Sequence, residues 1–213
     1  MNFAASLRCS VALLSQILLP QTMASADIIG EAFALETGSL LYSEHHSCEA
    51  SARKCSIEYR DQADQVFAHK DLDYSINVLA PALHFRDLRR SQHLSVDLSE
   101  SVGLVVDAGF DNFVRSRWSD LSVGDPVDFR FQILGREAPL QMVAHNKPEA
   151  DCAMNSLCLE VGLNSWLLSR FVDPIRLTYD RDTRRLMRYQ GISNIRAADG
   201  SALNVDIIYE YEE

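Results

Sequence analysis

Val127-Asp128-Phe129-Arg130-Phe131-Gln132-Ile133 alternates apolar and polar residues along its whole length. Successive side chains of a strand point to opposite faces, so the stretch reads as a strand with one face in a core and one in water. The same period returns in Leu203, Val205, Ile207, Tyr209 and Tyr211, in Leu72, Tyr74, Ile76 and Val78, and in Leu94, Val96 and Leu98. Strands of a parallel sheet are covered on both sides and lose this alternation, so the pattern predicts antiparallel pairing.

Shorter runs fit between these. Glu31–Leu35 and Ser39–Glu44 flank the turn Thr37-Gly38, and Ser56–Arg60 and Val66–Lys70 flank Gln62-Ala63-Asp64. Leu83–Leu88, Leu140–Ala144, Leu157–Val161, Ile175–Tyr179 and Leu186–Tyr189 read as further strands, with turn chemistry at Asp180–Thr183 and Asp199-Gly200. Two segments have helical spacing instead. Over Asp107–Leu121, Phe110, Phe113, Val114, Trp118 and Leu121 share a stripe, with Asp107 as cap and Gly124 as terminator. Asn164–Phe171 carries Trp166, Leu167 and Phe171 and ends before Pro174. The sequence therefore predicts a mainly β fold. It is a strongly curved antiparallel sheet of roughly ten strands, an open or closed barrel, with two short helices packed on or in it.

The first 26 residues read as a secretory signal peptide. Arg8 precedes the apolar run Val11–Leu19, which is too short to span a bilayer; Pro20 breaks it, and Ala24-Ser25-Ala26 supplies the small residues of a cleavage site. The expected product is one domain, 27–213, periplasmic or secreted. Cys9 lies ahead of the apolar run and so is not a lipid-anchor cysteine. No later run is long enough for a membrane helix. The net charge of −10 disfavours nucleic acid and anionic lipid surfaces as partners.

Beyond the leader stand Cys48, Cys55, Cys152 and Cys158. In an oxidising compartment an even number favours disulfides, and the short spacings favour Cys48–Cys55 and Cys152–Cys158; a crossed pairing stays open.

The chain carries no nucleophile elbow, zinc-protease motif, phosphate loop or dinucleotide fingerprint, so no catalytic residue, cofactor or metal is assigned. Glu44, His45 and His46 close a strand, and the pleat sends the two imidazoles to opposite faces. Arg181, Arg184, Arg185 and Arg188, like Arg86, Arg89 and Arg90, read as either an anion site or a solvated, carboxylate-paired face. The aromatics Phe110, Phe113, Trp118, Trp166 and Phe171 read either as core or as the lining of a pocket between helix and sheet.

Three stretches carry a resemblance. Gly30–Tyr42, Val106–Val114 and Arg185–Ile195 together resemble a family of uncharacterised exported proteobacterial proteins. That resemblance implies a periplasmic home and supplies no activity. The layout is also similar, at fold level only, to the lipoprotein-carrier type of open β-barrel. The expected function is binding of an apolar or amphipathic, lipid-like ligand in the sheet's concavity by the five aromatics. The alternatives are an envelope hydrolase or isomerase using His84, His93 or His145 with a carboxylate, and a module binding an envelope protein through a strand edge.

Overall fold

The computed structural model describes residues 27–148, 152–165 and 172–212. The expected leader, and residues 166–171 of the second expected helix with its Trp166 and Phe171, lie outside the described residues.

Among the described residues one curved sheet of thirteen strands dominates. In chain order these are β1 (Ile28–Ala34), β2 (Leu40–Cys48), β3 (Lys54–Arg60), β4 (Val66–Asp73), β5 (Ala82–Asp87), β6 (Gln92–Val96), β7 (Leu104–Val106), β8 (Val127–Gln132), β9 (Leu140–Asn146), β10 (Ser156–Leu163), β11 (Ile175–Asp180), β12 (Leu186–Arg196) and β13 (Ala202–Tyr211). Antiparallel pairing adds strands outward in both directions from the β1–β13 pair, with β7 last, giving the order β6-β5-β4-β3-β2-β1-β13-β12-β11-β10-β9-β8-β7. The edge strands β6 and β7 do not pair with each other, so the barrel stays open.

The mainly β architecture is as the alternation predicts, with three differences. The run Leu72–Val78 does not continue as a strand, because β4 stops at Asp73. Asn77 turns the chain there: its Oδ1 accepts the amides of Leu79 and Ala80, and its amide nitrogen donates to the Ser101 carbonyl. Ile76 and Val78 are left exposed. The second difference is β7, which pairs parallel to β8, with all three of its residues buried. A parallel neighbour needs a crossover, and the helical segment supplies it. Third, that segment is two helices, α1 (Gly109–Ser116) and α2 (Trp118–Val123), broken at Arg117, where φ is −106° and ψ 18°. Gly124 ends α2 with φ at 97°, the left-handed region glycine enters without strain.

Two main cores lie on the concave face. α1 and α2 cover β8–β11 and pack Phe113, Val114, Trp118 and Leu121 against Phe129, Met142, Leu157, Leu159 and Leu177. The other core joins Tyr42, Ile57, Tyr59, Leu72, Leu83 and Phe85 from β2–β5 to Val205 and Ile207 of β13. The disulfides Cys48–Cys55 and Cys152–Cys158 both form, with Cα separations of 4.0 and 6.2 Å. The first staples residues directly opposite one another on β2 and β3.

Gly109 opens α1 against the Leu79 carbonyl, which itself accepts the Val106 amide at 2.9 Å. A Cβ here would overlap that carbonyl, and backbone cannot yield as a side chain can. Gly109→Ala is expected to cost about 1–3 kcal/mol, as overpacking does, read as a lowered denaturant midpoint with unchanged slope.

Candidate functional site

The concave face is unusually rich in tyrosine. The chain has seven tyrosines, at 42, 59, 74, 179, 189, 209 and 211, and all lie on this side of the sheet. Parity explains most of them: Tyr42 follows the inward phase of β2, Tyr59 that of β3, and Tyr209 and Tyr211 continue the face of Val205 and Ile207. Tyr42, Tyr59 and Tyr179 are sealed, while Tyr74, Tyr189, Tyr209 and Tyr211 keep partial access to solvent. Tyr189 touches both cores and so marks the line between them. Gly30 makes room for the Tyr209 ring; a Cβ on it would lie 2.7 Å from Tyr209 Cε1.

Polar groups are set among these rings. Glu44 is buried, and its Oε2 contacts His46 Nε2 at 3.1 Å and accepts a hydrogen bond from Tyr209 Oη at 3.3 Å. The two residues sit two apart on β2 and so share a face, while His45 points the other way to Ser43. Tyr42 Oη is 2.7 Å from Ser193 Oγ. Burial pushes the Tyr209 hydroxyl's pKa up, and the Glu44 charge adds to this; Tyr42, Tyr59 and Tyr189 respond in the same way.

Deeper in, Lys70 of β4 donates to Asp107 Oδ1 at 2.7 Å, with both side chains almost fully buried. Asn194 of β12 donates to Asp107 Oδ2 at 3.0 Å, and the Ala108 amide donates to Oδ1 at 2.8 Å. Burial raises the Asp107 carboxyl, but Lys70 and these hydrogen bonds outweigh it and leave the pKa below the ordinary value. On α1, Asp111 pairs with Arg115 at 2.7 Å. Burial keeps the Asp111 pKa above the ordinary value despite that cation, and Tyr179 Oη lies beside it without closing a hydrogen bond.

The aromatics singled out from sequence divide in placement. Phe113 is buried with its ring 4.5 Å from that of Phe129, and Trp118 is buried 6.0 Å from Tyr179. Phe110 is half-buried between Phe113, Phe129 and Phe131. His84, His93 and His145 are exposed, and His84 Nδ1 lies 3.1 Å from Ser95 Oγ. The arginine-rich hairpin disperses: Arg184 lies over Trp118, Arg185 over Tyr211, and Arg188 forks onto Asp206. Sequence reading had not joined Glu44 and His46 to Tyr209; same-strand parity signals the first two, and nothing local signals the third. Compared with known proteins, the chain matches no family, no curated protein and no solved structure.

Proposed function

We propose that this is an exported, disulfide-stapled binding protein of the periplasm that takes an amphipathic, lipid-like molecule on the concave face of its sheet. One observation carries the reading. On the face that carries the two cores, four tyrosines and His46 stay partly accessible. Tyrosine offers an apolar ring and a polar tip, the pairing that an amphipathic ligand needs. The two disulfides fit an oxidising compartment. Among the described residues no helix is long and apolar enough to cross a membrane. The half-buried Phe110 stands as a further lining residue, whereas Phe113 and Trp118 act from behind as support.

Delipidated protein is expected to bind fluorescent fatty-acyl probes, and native mass spectrometry of untreated protein is expected to show a co-purified ligand. Tyr209→Ala is expected to weaken probe binding by about tenfold, on the order of 1.4 kcal/mol. The absence of both probe binding and a co-purified mass would overturn the reading.

A second reading is favoured by the 3.1 Å contact of His46 with Glu44, a histidine–carboxylate pair on a face with solvent access. Such a pair is the core of general acid–base catalysis. It would place an envelope hydrolase or isomerase at His46 and not at His84, His93 or His145. Ester turnover by the wild type that disappears in His46→Gln would favour it over simple binding.

A further inference from the structure

We propose that Glu44 and the tyrosines around it form a subsite for an organic ammonium group, the cationic head of the bound molecule. The inference rests on the reading of the concave face as a ligand site and adds the charge and class of the ligand's polar end.

Glu44 is only 6% exposed, and a buried carboxylate is costly unless a cation balances it. Two cations on this side are committed elsewhere: Lys70 Nζ lies 2.7 Å from Asp107, and Arg115 lies 2.7 Å from Asp111. Among the described residues the ion-pair partner of Glu44 is His46, whose charge is conditional on pH. Both side-chain contacts of Glu44 use Oε2, and Oε1 accepts no hydrogen bond from the described residues.

Around this carboxylate stand aromatic rings. Tyr42 precedes Glu44 by two residues on the same face; it and Tyr59, whose rings meet edge-on at 6.1 Å, are sealed and support the site without facing the ligand. The His46 and Tyr209 rings lie 6.0 Å apart, and Tyr209 Oη touches the carboxylate. Tyrosine faces attract cations through their quadrupole, and a carboxylate behind them adds net charge; alkylammonium groups are bound by this combination. Other ligand classes fit less well. An anionic head would face Glu44 directly. Among the described residues no group of three His, Cys, Asp or Glu side chains is placed to hold a metal ion. His46 retains 21% side-chain exposure and Tyr209 is half-buried, so the edge of the cluster meets solvent.

The test compares head groups on one chain length. Octyltrimethylammonium, octanoate and tetramethylammonium are titrated calorimetrically into delipidated wild type and Glu44→Gln, below micelle-forming concentrations. The trimethylammonium head is expected to bind more tightly than the carboxylate by about tenfold or more, and Glu44→Gln is expected to abolish that preference. If tetramethylammonium alone binds in a Glu44-dependent way, the natural source is a free amine; if only the octyl compound does, it is the head of an amphiphile. Equal binding of both heads, or a preference that survives Glu44→Gln, overturns the proposal. Acyl probes that bind without head-group preference overturn this subsite alone, whereas failure of every probe removes the ligand site itself. Should Glu44→Gln not fold, histidine NMR on the wild type decides. A His46 shift on adding tetramethylammonium or octyltrimethylammonium, absent with octanoate, supports the subsite; no shift with either cation refutes it.

Discussion

Replacing Lys70 with methionine is expected to destabilise the protein by about 3–5 kcal/mol at neutral pH. Lys70 is 2% exposed, and it neutralises an Asp107 carboxylate that the fold holds away from water. Methionine matches the stem but leaves the carboxylate alone, with only Asn194 and the Ala108 amide to stabilise it. The contact also does topological work. It ties β4 to the corner between β7 and α1, and Asn194 extends the tie to β12, so one charged pair joins three distant parts of the chain. The pH dependence follows from the depressed Asp107 carboxyl. A carboxylate whose folded pKa lies below its unfolded value contributes stability above the unfolded value, about 4, and loses that contribution as pH falls through the folded pKa. Without Lys70 the burial contribution dominates, Asp107 favours its neutral form, and the variant is penalised most where the unfolded carboxyl is ionised. The stability gap between wild type and Lys70→Met is therefore expected to narrow between pH 7 and pH 4. Urea melts at both ends of that range check it, and Lys70→Met/Asp107→Leu is expected to recover most of the loss. A gap below about 1 kcal/mol at pH 7 would mean the pair is solvated and not a tie.

The contrast between these clusters and the strands shows what a sequence can disclose. β8 and β13 were legible because half-burial writes itself as alternation within a few residues. β7 was not, because Leu104, Val105 and Val106 are buried on every side and a short apolar run has no period. The Leu72–Val78 run misled for the opposite reason: the alternation is present, but Asn77 hydrogen-bonds a turn and no partner strand covers Ile76 or Val78. The helical stripe from Phe110 to Leu121 was legible as one face, whereas the break at Arg117 left no mark on it. The site divides in the same way. Glu44 and His46 share a face by parity, and the opposite turn of His45 follows from the same rule. Tyr209 reaches Glu44 across 165 positions, and Asn194 reaches Asp107 across 87. Such contacts depend on how the sheet curves, which no local window contains.

The aromatic stripe itself is open to a decisive substitution. Phe113→Ala is expected to cost about 3–5 kcal/mol, among the largest effects of any truncation in this chain. Phe113 is 6% exposed, and its ring meets Phe129 at 4.5 Å and Phe110 at 6.0 Å, so its removal leaves a cavity bounded by strands that cannot close in. α1 is only eight residues long, too short to be stable by itself, so packing holds it in place. Loosening α1 also loosens the Asp107 corner that precedes it, and the cost is therefore expected to couple to Lys70→Met and not simply to add. The same variant separates support from lining. If Phe113 is core, the folded fraction of Phe113→Ala, measured below its melting range, binds acyl probe as tightly as wild type. Tyr209→Ala should show the converse, weak binding on a molecule that has lost less stability. Were Phe113→Ala to melt like wild type while losing the probe, the stripe would be the wall of the ligand site, and the tyrosine face would be its back.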